Sequence, residues 1–274
     1  MRLALDTPLA ALPLLFLDFE TTGLDLGAGH RVCEVALLRE RAGTEEGRFA
    51  CLLNPGRLLD PQAAAVNGLC DADLATALPF ATVVPTIDAL TAGAVLVGHN
   101  LAFDLAFLSA ELQFLGRPPL NSPNLDTLPL ARRLLHRPSY SLMALANELD
   151  LPRPTHQAMP DVLALQALFH HLRMLMAELG ATTLGDALRL ERGMLPGAPE
   201  PEAPPLIAQA LAEGCALRIV YRSRSSPEPT TRTIHPIYLS CERGGTYLRA
   251  FCELRQNVRA FALAKIAAIE LIQG

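Results

Sequence analysis

The chain of 274 residues lacks several features that would assign a protein to a class at once. Its longest apolar stretches are interrupted by charge or proline, so none is long enough to span a bilayer. Asp6 lies where a signal peptide would have unbroken apolar residues, and a cytoplasmic location is therefore expected. The sequence shows no internal repeat and contains no tryptophan. Membrane-spanning and repeat architectures are thus excluded at this stage.

Cysteine pairs of the C-x-x-C type are also missing. The six cysteines follow no spacing of a disulfide framework, so they are expected to be reduced and mostly buried, without a zinc site. They are Cys33, Cys51, Cys70, Cys215, Cys241 and Cys252.

The net charge of −5 is unevenly distributed along the chain. Residues 1–180 hold 12 basic and 19 acidic side chains, whereas residues 205–274 hold 9 basic and 5 acidic ones. An acidic region that concentrates carboxylates suits metal binding, and a basic region can attract an anionic polymer. Charge alone does not decide between these functions, because small domains often differ by this much.

A segment rich in proline and charge, Gly197–Pro205, predicts a domain boundary. Proline cannot continue a helix or donate to a sheet, and the charged residues keep the segment solvated. The predicted organisation is a first domain over 1–180, a linker over 181–204 and a second domain over 205–274. Thr182–Arg192 is a possible short helix that leads into the linker.

The first domain alternates short apolar strands with helical patterns after three closely spaced strands. This order predicts an α/β fold with a mixed five-stranded sheet covered by helices. The predicted strands are Leu14–Glu20, Arg31–Arg41, Gly47–Asn54, Ala94–Gly98 and Asn124–Asp126. The predicted helices are Pro79–Leu90, Leu101–Leu115, Thr127–Leu135, Ser141–Glu148 and Pro160–Leu179.

The second domain has the period-two alternation of strands with short turns between them. A helix over Leu206–Glu213 precedes five strands, which predicts a small, mostly β, barrel-like domain. These strands are Ala216–Arg222, Arg232–Leu239, Thr246–Glu253, Val258–Ala262 and Ile266–Leu271.

Acidic residues occur at three places where the predicted elements begin or end. Asp18 and Glu20 lie two residues apart on a strand, so both carboxylates point to the same face. Asp104 lies in the first turn of a helix for which Asn100 is the expected N-cap. Asp161 lies in the first turn of another helix. Each segment taken alone is compatible with an ordinary strand end or a capped helix.

The order and content of these segments resemble the DEDDh (DnaQ-like) 3′→5′ exonucleases, the superfamily of the epsilon subunit of DNA polymerase III. The matching motifs are D-F-E-T-T-G from Asp18, H-N-x-x-F-D from His99 and H-x-A-x-x-D from His156. The resemblance extends over roughly residues 13–178. It implies a ribonuclease H-like mixed five-stranded sheet flanked by helices, and no expected catalytic position is missing.

The resemblance also implies a catalytic mechanism. Two divalent cations, Mg²⁺ or Mn²⁺, would be held by Asp18, Glu20, Asp104 and Asp161, because carboxylates suit hard ions. His156 would be the general base for the attacking water. The products would be nucleoside 5′-monophosphates released from DNA 3′ ends, single-stranded or frayed, in DNA repair or proofreading.

Further residues of these motifs are expected at the terminal nucleotide of the substrate. The stronger candidates are Thr21, Thr22, Gly23 and Leu24, and the weaker ones are Asn67, His99 and Phe103. Asp126 is expected to order the edge of the sheet rather than to bind metal.

Residues 206–271 resemble a WYL domain, which implies an Sm-like or SH3-like β-barrel that binds nucleic acid or a nucleotide-type ligand. The resemblance is carried by Arg218–Tyr221, Ile234-His235-Pro236 and Tyr247–Cys252. Thr246 stands where the name-giving tryptophan would be, which reduces the aromatic stacking surface. The candidate ligand contacts are Tyr247, Arg249, Arg255, Arg259 and Lys265.

Three other functions stay open at this stage. The same catalytic residues serve an exoribonuclease that trims RNA 3′ ends, and discrimination depends on contacts to the 2′-OH. A regulatory binding protein would make the WYL domain primary and the nuclease activity secondary. A replicative proofreading subunit would require a DNA polymerase as partner.

Overall fold

The computed structural model describes residues 3–223, 228–242 and 244–272 of the chain. It divides into two compact units, Met1–Glu191 and Arg192–Gly274. The division lies inside the predicted linker over 181–204. Within the described part of the chain, no helix combines the length and the apolar character needed to cross a membrane.

The first unit is built on a mixed sheet in the order β4-β3-β2-β1-β5-β6. Strands β1, β2 and β3 are antiparallel neighbours, whereas β4, β5 and β6 join by parallel pairing. The strands are β1 (Pro13–Thr21), β2 (Val32–Arg41), β3 (Thr44–Asn54), β4 (Leu78–Pro79), β5 (Val95–Gly98) and β6 (Asn124–Asp126).

All five predicted strands of the first domain form, and the two-residue strand β4 is added at the edge beside β3. The predicted number of five strands is therefore one too low. Such a short strand is too brief to show an alternating pattern, and Pro79 has no N–H to donate. Its pairing with Leu53 and Asn54 depends on tertiary structure.

Helices cover both faces of this sheet. They are α1 (Pro61–Asn67), α2 (Asp71–Ala75), α3 (Phe80–Thr91), α4 (Ala102–Phe114), α5 (Thr127–Leu134), α6 (Leu142–Glu148), α7 (Ala158–Glu178) and α8 (Leu184–Glu191). Two separate cores result, because β1 alternates its side chains between them. Leu14 and Phe16 pack on the face covered by α5, α7 and α8, and Leu15 and Leu17 pack on the face covered by α3 and α4. This double burial explains the continuous apolar run of β1.

The short helix predicted over Thr182–Arg192 forms as α8. Its buried residues Leu184, Ala187 and Leu190 belong to the same core as α7. The first part of the predicted linker is therefore packed against the first unit and is not open chain, since these three side chains recur at helical spacing.

The second unit is one antiparallel sheet in the order β10-β9-β8-β7-β11. Its elements are α9 (Pro205–Glu213), β7 (Ala216–Tyr221), β8 (Thr230–Glu242), β9 (Gly245–Cys252), β10 (Asn257–Ala262) and β11 (Ile266–Ile272). Ile207 and Ala210 of α9 pack into a core with Leu217, Ile219 and Phe261. The predicted helix and all five predicted strands of this domain are confirmed.

Candidate active site

Strand β1 places two carboxylates on the sheet face that α7 covers. Asp18 and Glu20 have the same parity as Phe16, so they follow that side chain along one face. Their cross-strand neighbours on β2 are Ala36 and Glu34, respectively. The convergence predicted for the two carboxylates is therefore present.

Asp104 joins this pair from the first turn of α4. Its Oδ1 accepts a hydrogen bond of 3.0 Å from the backbone N–H of Phe19, the residue between Asp18 and Glu20. Only 5% of Asp104 is exposed. The expected N-cap role of Asn100 is wrong, because Asn100 has a φ of 65° and Leu101 is the N-cap. The carboxylate of Asp126 accepts from the N–H groups of both Asn100 and Leu101 instead.

Asp161 and His156 complete the cluster at the start of α7. The Oδ1 atom of Asp161 accepts hydrogen bonds from the N–H groups of Thr155 at 2.7 Å and His156 at 3.1 Å. These bonds hold His156 at a φ of 58°, which side-chain-bearing residues adopt at a free-energy cost. Ligand atoms of Glu20, His156 and Asp161 all lie within 4.8 Å of one another.

Burial raises the pKa of every carboxylate in this cluster. Desolvation is the main cause, followed by charge repulsion for Glu20, whose pKa rises to about 8. The pKa of Asp104 rises to about 7 through desolvation, against the bond from Phe19. The pKa values of Asp18 and Asp161 are also raised, again mainly by desolvation.

This donor set fits a divalent cation. Several carboxylates are held near one another in a desolvated position, and their repulsion is costly unless a positive charge compensates it. Oxygen ligands favour hard ions such as Mg²⁺ and Mn²⁺.

Glu34 is a member of the site that sequence reasoning missed. Its Oε2 accepts a hydrogen bond of 3.1 Å from the N–H of Ala158, the first residue of α7. Burial raises the pKa of Glu34, and the hydrogen bond from Ala158 opposes this rise. The charge of Asp161 raises the pKa further, by a smaller amount. The sequence shows an acidic residue, Glu34, within an otherwise apolar strand. Only the β1–β2 register shows that Glu34 lies directly opposite Glu20.

A cleft of about 340 Å³ opens beside Glu20, and it is named the first cleft here. Its apolar wall includes Leu24 and Val66, whose exposed fractions are 84% and 56%. Large exposed apolar side chains next to polar groups are typical of binding sites. The lining residues are Glu20, Thr21, Gly23, Leu24, Asp25, His30, Asp60, Gln62, Ala63, Val66 and Asn67.

Four of the residues predicted to contact substrate line the first cleft, and they have distinct surroundings. Thr21 donates its hydroxyl to the carbonyl of Gly23 at 2.9 Å. Gly23 leaves room for the His30 ring, since a Cβ there would lie 2.3 Å from that ring. Asn67 is buried, and its side chain forms a hydrogen bond that lowers the pKa of Glu20 against the dominant effect of burial. Leu24 is the most exposed of the four.

The other three predicted substrate contacts lie elsewhere. Thr22 is fully buried, and its Oγ1 lies 3.0 Å from Nδ1 of His30, so it supports the first cleft from behind. Both ring nitrogens of His99 have protein partners, Thr127 Oγ1 at 2.9 Å and the Tyr140 carbonyl at 2.8 Å. Phe103 packs against Phe107 with ring centroids 4.8 Å apart. None of these three residues lines the first cleft, and each contacts other protein groups.

In the second unit, strand pairing separates the predicted ligand contacts. Tyr247 and Arg249 share one face of β9, but Arg259 pairs with Ala250 and so belongs to the opposite face. Arg249 forms an ion pair with Glu242, which also accepts a hydrogen bond from Ser240.

The remaining two candidates lie in short 3₁₀ turns. Arg255 is exposed at the end of Glu253–Arg255, and Lys265 is half-buried at the end of Leu263–Lys265. The structure places a further aromatic residue, Tyr238, opposite Arg249 on the neighbouring strand β8. The guanidinium of Arg192 lies 4.8 Å from the centroid of the Tyr238 ring. The five predicted contacts therefore do not form one patch.

Two family models match this chain, one within each of its two units. Residues 15–169 match the exonuclease family RNase_T, and residues 202–271 match the WYL domain family. A DNA polymerase III subunit epsilon-like protein of Rhodobacter capsulatus is 34% identical over 189 residues, covering 67% of this chain and 27% of that protein. The DNA polymerase III subunit epsilon of Treponema pallidum is 32% identical over 166 residues, covering 57% of this chain and 76% of that protein.

Among solved structures, exonuclease X in complex with 5′ overhanging duplex DNA is similar with a TM-score of 0.51 and 26% identity. The similarity covers 64% of this chain and 97% of that one. Four of the similar sequences are longer proteins, of which the chain covers 13% to 27%. The match to the exonuclease family nevertheless extends over more than half of the chain. The chain therefore belongs to the exonuclease family of enzymes and carries a WYL domain in its C-terminal part.

Proposed function

We propose that the protein is a metal-dependent 3′→5′ exonuclease that removes nucleoside 5′-monophosphates from the 3′ ends of single-stranded or frayed DNA. One observation carries the proposal: Asp18, Glu20, Asp104 and Asp161 lie close enough to repel one another, Glu20 and Asp161 converge with His156, and Glu20 also lines the first cleft. A nucleotide-sized cleft next to clustered carboxylates combines a substrate site with a place for divalent cations.

In this proposal the four carboxylates hold two Mg²⁺ or Mn²⁺ ions. Such ions acidify an attacking water and offset the charge of the phosphodiester transition state. His156 is exposed on its loop and accepts the proton of that water. Leu24 contacts the terminal base across the first cleft, and Asn67 holds the Glu20 carboxylate by its side-chain hydrogen bond.

The WYL domain acts as an accessory module that binds nucleic acid or a nucleotide-type ligand. Arg255 and Arg259 are exposed and can pair with phosphate groups, although they lie on separate elements. Arg249 can contribute only if its ion pair with Glu242 opens. Tyr247 and Lys265 complete the proposed contacts.

DNA repair in the cytoplasm is the proposed setting, because the relatives with matching exonuclease domains include polymerase III epsilon subunits and exonuclease X with DNA. A polymerase is a possible partner by the same similarity. RNA is the second candidate substrate, since a 3′-exonuclease in complex with a histone mRNA stem-loop shares the fold with a TM-score of 0.50 and 16% identity.

The test is digestion of a 5′-labelled single-stranded DNA by the wild type and by Asp18→Ala, with Mg²⁺, Mn²⁺ or EDTA. The proposal expects a ladder that shortens from the 3′ end and is abolished by EDTA and by the substitution. An intact DNA together with a degraded RNA of the same sequence would reassign the substrate. Survival of both strands under every metal would overturn the nuclease function in favour of a regulatory one.

A further inference from the structure

A second cleft, of about 580 Å³, lies on the first unit and takes no part in the function proposed above. It opens where β5 and β6 end, next to β1 in the order of the sheet. The first cleft, by contrast, opens at the end of β1 towards α1. The lining residues of the second cleft are His99, Asn100, Leu128, Arg132, Pro138, Ser139, Tyr140 and Ser141.

The second cleft lies close to the carboxylate cluster, because Asn100 at its wall is near Asp104 in the chain and is hydrogen-bonded to Asp126. Asn100 lies four residues before Asp104, and its N–H donates to Asp126 at 2.9 Å. Asp126 pairs with Gly98 at the end of β5, and β5 runs parallel to β1, the strand that carries Asp18 and Glu20. A strand whose 3′ nucleotide occupies the first cleft and whose scissile bond meets the carboxylates would therefore continue towards the second cleft.

Arg132 is the charged residue of this cleft. It is exposed in the last turn of α5, and it forms no ion pair with any residue within the described ranges. Six other arginines of the first unit pair with carboxylates: Arg31, Arg39, Arg41, Arg48, Arg117 and Arg137. Residues 1–180 carry a balance of −7, so an exposed guanidinium without an ion pair among the described residues is a candidate contact for an anionic group in this acidic region.

The C-terminal end of a helix favours any cation, and this effect alone could explain a basic residue in the last turn of α5. It applies equally to Arg133, which is also exposed but does not line the second cleft. Position in the cleft therefore distinguishes Arg132 from its neighbour. Arg133 is a matched control for charge, exposure and helix position.

Three other residues that line the second cleft, His99, Tyr140 and Ser141, are held in place by hydrogen bonds. His99 accepts or donates at both ring nitrogens, to Thr127 and to the carbonyl of Tyr140. The Tyr140 hydroxyl donates to the carbonyl of Leu135 at 2.9 Å, and Ser141 caps α6 through the N–H of Ala144 at 3.2 Å. A wall that is already ordered loses little conformational entropy when a ligand binds.

We propose that the second cleft binds a backbone phosphate of the substrate strand, upstream of the scissile bond, with Arg132 as the phosphate contact. A guanidinium can donate two parallel hydrogen bonds to one phosphodiester group, and the nearby Ser139 hydroxyl adds a further donor. The inference rests on the proposed exonuclease function, because it assigns the path of that substrate.

The experiment compares Arg132→Gln, Arg132→Lys and Arg133→Gln in the full chain. Binding of a fluorescein-labelled single-stranded DNA is measured in EDTA by anisotropy, so this arm does not depend on cleavage. Arg132→Gln is expected to weaken binding by about tenfold, the loss of one charge-assisted contact. The slope of log affinity against log salt is expected to fall by about 0.7, the value for one phosphate of a single strand. Arg132→Lys should recover part of the affinity, and Arg133→Gln should change it less than twofold.

A second substrate separates this inference from the proposed function. The p-nitrophenyl ester of thymidine 5′-monophosphate has a scissile phosphodiester but no upstream phosphate, so Arg132→Gln should cleave it at the wild-type rate. Equal effects of Arg132→Gln and Arg133→Gln on DNA binding would overturn the inference, and so would an equal loss on the ester and on DNA. A wild type that binds DNA through Arg132 but cleaves neither substrate would overturn the exonuclease function and leave the binding site standing.

Discussion

Phe19 and Asp104, which are 85 positions apart in the chain, are joined by a 3.0 Å hydrogen bond from the backbone N–H of Phe19 to the carboxylate of Asp104. The bond fastens the first turn of α4 to β1 between Asp18 and Glu20. It explains how an acidic residue from a distant helix is held beside two like charges, because the N–H group offsets part of the repulsion.

Asp104→Asn should abolish activity without unfolding the protein. The amide oxygen can still accept from Phe19, but the negative charge is lost, so turnover should fall by about 10³-fold or more. The melting temperature in EDTA should stay equal or rise, because a buried carboxylate with a raised pKa is removed. Asp88→Asn is the control, since Asp88 is a half-exposed partner of Arg117, and it should retain activity within twofold. Retention of more than a tenth of the activity by Asp104→Asn would contradict its assignment.

The stability of the metal-free protein should fall as the pH rises between 4.5 and about 8, the range over which folding raises the pKa of Glu20. In that range the folded state keeps the proton and the unfolded state has lost it, so a rise in pH stabilises the unfolded state relative to the folded state. Glu20→Gln removes this penalty, and its melting temperature relative to the wild type should increase with pH in EDTA.

Addition of Mg²⁺ or Mn²⁺ should stabilise the wild type more at the upper end of this pH range than at the lower end, because bound cations displace the protons. A site filled to about 100 times its Kd gains about 2.7 kcal/mol by mass action. In EDTA, the melting temperature of the wild type could instead rise with pH faster than that of Glu20→Gln. This outcome would show that the Glu20 carboxylate is not desolvated.

Glu34 should act as a positioning residue for the start of α7. Glu34→Ala removes the acceptor of the Ala158 N–H and should lower kcat by about tenfold, because the His156 loop loses its support. Glu34→Gln keeps an acceptor oxygen and should recover most of the activity. The separate values of kcat and KM check the role, since displacement of His156 would lower kcat and leave KM nearly unchanged. Glu45→Gln, on the exposed ion pair with Arg48, is the control that should leave both values unchanged.

Leu24→Ala should weaken substrate binding and leave stability unchanged. The side chain is 84% exposed in the free protein, so its apolar area is buried only when a nucleotide enters the first cleft. The expected rise in KM is about three- to tenfold, the range for partial burial of a leucine. Leu58→Ala is the matched control, because Leu58 is 71% exposed and does not line the first cleft. Equal KM values for the two variants would remove Leu24 from the substrate site.

Much of the fold could be predicted because local patterns are strong here. The five predicted strands and the predicted helices of the first unit form, and the proline-rich segment after α8 lies near the boundary between the units. Prediction failed where a residue depends on a distant partner. The two-residue strand β4 needs β3 beside it. The N-cap of α4 is Leu101 and not the expected Asn100, and the distant carboxylate of Asp126 accepts from the N–H groups of both residues.

The candidate site divides in the same way. The spacing of Asp18 and Glu20 sets their common face without reference to any other element, and the motif around Asp161 sets its place in a helix turn. Three of the predicted substrate contacts, Thr22, His99 and Phe103, do not line the first cleft and contact other protein groups, which no local pattern could show.

The sequence by itself determined which carboxylates and which histidine are available and in what order they occur. It also determined that Asp18 and Glu20 point to the same face of their strand, because this follows from covalent spacing and local backbone geometry. Tertiary structure alone decided that Glu34 joins the cluster, that Arg249 and Arg259 lie on opposite faces of the second sheet, and that Arg132 faces a cleft. The physical reason is strand register and helix docking. Both depend on contacts between residues far apart in the chain, and a register shift of one residue reverses every side chain of a strand.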